Sequence, residues 1–64
     1  MKHIEFTCID GAKGVVASKN MELHSRIMDE VMYYQVYVWH REQLATYIIT
    51  KDEFLRLTTI LNNP

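Results

Sequence analysis

The chain has one cysteine, one proline and two glycines in 64 residues, and no excess of either charge. Each scarcity excludes something. Cys8 alone cannot close an internal disulfide, so this is not a disulfide-stapled scaffold. An unpaired thiol suits a reducing compartment, which points to the cytoplasm. With so little Gly and Pro there is no linker, and most of the chain must lie in regular structure as a single domain over residues 1–64. Seven Lys and Arg against eight Asp and Glu, spread evenly, leave no basic footprint for nucleic acid. Apolar runs are only a few residues long, against roughly 18 to 20 for a membrane-crossing helix. Glu5 and Asp10 follow Lys2 and His3 too soon for a secretory leader.

What the chain does have is apolar content, at 48%. That excludes intrinsic disorder. It also raises a difficulty of size, because a chain this short buries only about 60% of the surface its unfolded form exposes. Small domains offset this with disulfides, a metal, an idealised core or a partner.

Lys2 to Ile9 alternates Ile4, Phe6 and Cys8 with His3, Glu5 and Thr7, the period-two pattern of a half-buried strand. Asp10-Gly11 is a turn signal, and a hairpin returns through Val15 to Ala17. Ser18 to Asn20 reads as a bend. Met21 to Glu30 fits two patterns. As a helix, Asn20 would cap it and Leu23, Ile27 and Val31 would form its stripe. As a strand, Met21, Leu23, Ser25 and Ile27 alternate with Glu22, His24, Arg26 and Met28. The clean alternation and the hairpin neighbours favour the strand, with Asp29-Glu30 as an exposed turn.

Val31 to His40 contains three Tyr, one Trp and three Val, an extreme β composition. Both of its faces are largely apolar, which predicts a central strand covered on both sides, at least in part. His40 to Gln43 is a short polar turn, and Leu44 to Thr50 returns as a strand. Thr50-Lys51-Asp52-Glu53 matches a capping box, with Thr50 as N-cap and Glu53 reaching back. Phe54, Leu57, Ile60 and Leu61 supply the helical stripe, and Asn62-Asn63-Pro64 ends it. The expected fold is α+β: a meandering antiparallel sheet of three to five strands, followed by one C-terminal helix packed on a face.

Residues that could carry chemistry do not assemble into a motif. His3, His24 and His40 lack the spacing of a zinc site, so neither a metal nor a cofactor is expected. Asp52 and Glu53 suit the first turn of a helix. Ser18 and Ser25 have no nucleophile motif around them. Gly11 to Gly14 lacks the spacing of a phosphate loop, and Val15 stands where a Ser or Thr is needed. So small a fold has little room for a pocket of several hundred Å3, and the chain reads as a non-enzyme.

The aromatics are the remaining signal. Met28, Met32, Tyr33, Tyr34, Tyr37, Trp39 and Arg41 fall close together, and these residue types are enriched at protein interfaces. One helix cannot cover both faces of such a sheet, and soluble monomers seldom expose so large an apolar patch. Self-association as a homodimer is the expected resolution. Tyr33, Tyr37 and Trp39 on one strand face, with Arg41 at its end, are the candidate binding residues. The functional expectation is a small protein-binding module: an inhibitor, adaptor or regulatory subunit. In size and lack of catalytic features the chain is like small accessory proteins of bacteria and their phages, a likeness of genre that no motif carries. The alternative is a single-stranded nucleic-acid binder that stacks bases on the same aromatics, with the charge balance against it.

Overall fold

The structure, a computed structural model, describes residues 2–63. Five strands and one helix follow in order: β1 His3–Thr7, β2 Lys13–Ala17, a 3-10 turn at Ser18–Asn20, β3 Met21–Met28, β4 Val31–His40, β5 Gln43–Ile49 and α1 Lys51–Asn62. The architecture is α+β, as the alternation and the capping box predict. The strands form two antiparallel sheets rather than one: the hairpin β1–β2, and the meander β3–β4–β5 with β4 in the middle. The Met21 stretch is a strand, so periodicity wins over the helix-favouring composition of Glu, Leu, Arg and Met.

The first hairpin turns as its sequence indicates. Gly11 takes φ +95°, and the Asp10 carboxylate accepts the Ala12 N–H at 3.0 Å. Gly14 lies over the Phe6 ring, where a Cβ would come within 2.7 Å of Phe6 Cζ. The two meander turns have no glycine. Asp29 and Glu30 have φ of 52° and 66°, and Arg41 and Glu42 have 50° and 71°. Both are two-residue turns with positive φ at each central position, whose twist matches that of paired strands.

Register decides which side chains share a face. Leu23 pairs with Val36 and Val36 with Tyr47, while Glu22 pairs with Tyr37 and Tyr37 with Thr46. The inner face therefore carries Met21, Leu23, Tyr34, Val36, Val38, Tyr47 and Ile49. The hairpin and the helix both pack on it. Phe6 meets Tyr47 with ring centroids 5.5 Å apart, and Phe54 meets Tyr34 at 4.9 Å. Ile9 N–H bonds the Ile48 carbonyl at 2.9 Å, joining the hairpin to the free edge of β5. Ile4, Phe6, Val16, Met21, Val36, Ile49 and Leu57 make the core, with Phe54, Ile60 and Leu61 packed against it.

The helix start shows one departure from the expected capping box. Thr50 Oγ1 accepts the Glu53 N–H at 3.2 Å, as expected. Glu53 does not return the bond. Its carboxylate instead accepts the Thr7 N–H at 2.7 Å and two bonds from the Arg56 guanidinium. Arg56 in turn donates to the Glu5 carbonyl at 2.8 Å. The hairpin end lies closer to this carboxylate than a local cap can compete with, so Glu53 ties β1 to the helix. Helix α1 ends at Asn62, while the expected stop at Pro64 lies outside the described residues.

Candidate docking face

Among the described residues, none forms a layer over the outer face of the meander. Strand β4 contributes Val31, Tyr33, Gln35, Tyr37 and Trp39, β3 adds Glu22, His24, Arg26 and Met28, and β5 adds Leu44, Thr46 and Ile48. The expected central strand is present, but within one chain it is covered on its inner face alone. Trp39 is 42% exposed, Leu44 43% and Val31 51%. Tyr33 and Tyr37 are half-buried by their neighbours in the sheet. Of the four residues singled out from sequence, Tyr33, Tyr37 and Trp39 share this face. Arg41 stands at the tip of the β4–β5 turn with φ 50°, exposed at the end of the strand.

A polar cluster orders one end of the face. Trp39 Nε1 donates to Glu22 Oε2 at 3.1 Å, and His24 Nε2 bonds Glu22 Oε1 at 3.0 Å. The His24 ring stacks on Tyr37, with centroids 4.0 Å apart and planes 27° from parallel. The bond from His24, and then that from Trp39, hold the Glu22 carboxyl below its ordinary pKa. The indole is thus fixed in orientation while its ring stays open, which lowers the entropy lost when a partner covers it. Arg26, two positions beyond His24, has no ion-pair partner among the described residues.

In the middle of the face lies Gln35, whose Oε1 is covered and has no hydrogen-bond partner. A covered amide oxygen without a donor is costly, and it marks a place where the chain alone does not satisfy its own polar groups. Glu22, His24, Gln35 and Ile48 were not singled out from sequence. The alternation of β3 groups Glu22 with His24 and Arg26, but only the pairing register sets that row beside the aromatics of β4.

The opposite side has an apolar cleft between hairpin and meander, about 500 Å3 in volume and open to solvent. Phe6, Val16, Val38 and Tyr47 line it, together with Asp10 and Lys13. This is more room than the chain length suggests. Cys8 also faces it, and burial, followed by the nearby Asp10 charge, pushes its thiol pKa up. The thiol is therefore protonated at neutral pH and a weak nucleophile. Among the described residues, no group of three or more His, Cys, Asp or Glu is placed to hold a metal ion. No described helix is long and apolar enough to cross a membrane.

Searches against models of known families, curated proteins and solved structures find no match to this chain.

Proposed function

We propose that the chain is a small non-enzymatic protein-binding module that acts as a homo-oligomer, with the outer face of the meander as its contact surface. The observation that carries this reading is the row of Val31, Tyr33, Tyr37 and Trp39 on a face that no element of the chain covers. Surface arithmetic supports it. The accessible surface is 4802 Å2, against roughly 4,300 Å2 for a folded chain of 7.6 kDa. The radius of gyration is 11.5 Å, against roughly 10.7 Å for this length. Both depart in the direction of a subunit that carries uncovered surface. An inhibitor, adaptor or regulatory subunit of the cytoplasm fits these features, with the unpaired Cys8 consistent with a reducing setting.

Light scattering across a concentration series tests the reading. A mass above that of one chain at micromolar concentration is expected, with Trp39→Ala raising the dissociation constant roughly 30-fold, the equivalent of about 2 kcal/mol for a truncated aromatic anchor. A wild-type chain that stays monomeric up to millimolar concentration refutes self-association. The second reading, binding of single-stranded nucleic acid, draws on three aromatic rings sharing one face. Glu22 on the same face and the balanced net charge weigh against it. Oligonucleotide binding that weakens as salt rises would favour it.

A further inference from the structure

We propose that the occupant of the outer face is a second copy of this chain, packed sheet on sheet about a two-fold axis that passes over Gln35. This rests on the docking reading above and adds the symmetry and the register.

The axis position follows from the pairing. His24, Gln35 and Ile48 form one row across the three strands. A two-fold axis lying along that row between two facing sheets sets each row against its mirror position. Gln35 then meets the Gln35 of the second copy. A primary amide has both donor and acceptor, so two of them about a two-fold axis can exchange N–H···O bonds. Gln35 Oε1 is covered by its own chain, so this exchange requires the amide to turn outward, where it gains the partner it lacks in one chain. Aligned sheets pack about 10 Å apart, a gap that two extended glutamine side chains can span.

The same operation matches the rest of the face. Glu22 and Arg26 flank His24 on β3, one position to either side on this face. Each therefore meets the other's counterpart, giving two reciprocal carboxylate–guanidinium contacts and a partner for Arg26. Tyr37 meets Tyr33, and the bulky Trp39 meets the small Val31, so large opposes small at both ends. A crossing angle of about 30° shifts the β3 rows by roughly 3 Å, less than half the roughly 7 Å between same-face neighbours, so the charge match survives the twist. A heterologous contact would give no reason for opposite charges at equal distances from an unsatisfied amide. An isologous one does.

Charge exchange tests the register. Arg26→Glu alone sets acid against acid at both contacts, and Glu22→Lys alone sets cation against cation at both. Each variant should weaken self-association roughly tenfold at low salt. Mixed one to one, the two variants present only opposite charges to each other, and a mixed dimer of near wild-type affinity should form, read by sedimentation with one partner fluorescently labelled. Circular dichroism verifies that each variant is folded before mixing. If the wild type dimerises but the variants are unaffected, or the mixture binds no better than either alone, this register is wrong while the docking face stands. If the wild type never dimerises, both fall.

Discussion

Glu53 carries more than a capping residue usually does. Its carboxylate accepts a partly buried backbone N–H from Thr7, far away in sequence, and is clamped by Arg56. The Arg56 hydrogen bonds, with help from Thr7 N–H and against some burial, hold its pKa below the ordinary value of 4.5. The sign follows directly. Stability from the ionised carboxylate is complete above the ordinary value and is lost as pH falls through the lowered folded value. Glu53→Ala should cost about 1 to 3 kcal/mol, mainly from the stranded Thr7 N–H. The half-exposed Arg56 pair adds only a fraction of this. Glu53→Gln should cost less, because its amide oxygen can still accept from Thr7, and its unfolding free energy should fall less steeply than wild type's below pH 4.5. Urea titrations at several pH values measure both; identical slopes in wild type and Glu53→Gln would show that this carboxylate is not linked to folding. Gly14 illustrates a different residue-scale demand, since the ring of Phe6 occupies the space any Cβ would need.

At the scale of elements, the two meander turns work against their own residues. Glu30 and Glu42 sit at φ of 66° and 71°, a region that costs a side-chain-bearing residue roughly 1 kcal/mol or more. The strands they join impose the conformation, because only turns of this hand keep the right-handed twist of both pairs. Replacing Asp29-Glu30 by Asn-Gly, or Arg41-Glu42 by Asn-Gly, should stabilise the fold by about 0.5 to 1 kcal/mol per turn, the strain relieved less the extra freedom glycine gives the unfolded chain. Thermal melts at fixed concentration check this, and a lower melting temperature in both variants would contradict the turn geometry. Placing charge at these tips also keeps the ends of the sheet soluble, a reason for a sequence to tolerate the strain.

For the whole molecule, the question is how a chain without disulfides holds together with so few buried side chains. Ile4, Phe6, Val36, Ile49 and Leu57 are nearly or fully buried, but the outer face returns little of its apolar area to the monomer. Burial of that face in a dimer couples folding to association, so the melting temperature should rise with protein concentration. Melts over a hundredfold concentration range test this; a melting temperature independent of concentration would mean that the monomer is stable alone and that the face does not self-associate.

Much of this structure is legible in the residues themselves. Alternation in Lys2–Ile9, Met21–Glu30 and Val31–His40, the Asp10-Gly11 turn and the stripe of Phe54, Leu57 and Leu61 determine the strands, the hairpin and the helix, because each reflects local backbone geometry and one-sided burial. The surplus of aromatics beyond what one helix covers is legible for the same reason. Local pattern does not reveal where distant segments meet. Only the tertiary structure decided that the hairpin leaves the meander to form its own sheet, that Glu53 serves Thr7 instead of Thr50, and that Glu22, His24, Gln35 and Ile48 join the face of Tyr33, Tyr37 and Trp39. These outcomes depend on pairing register and on which long-range donor reaches a carboxylate first. Both are set when the chain closes on itself, and neither leaves a periodic mark in the sequence.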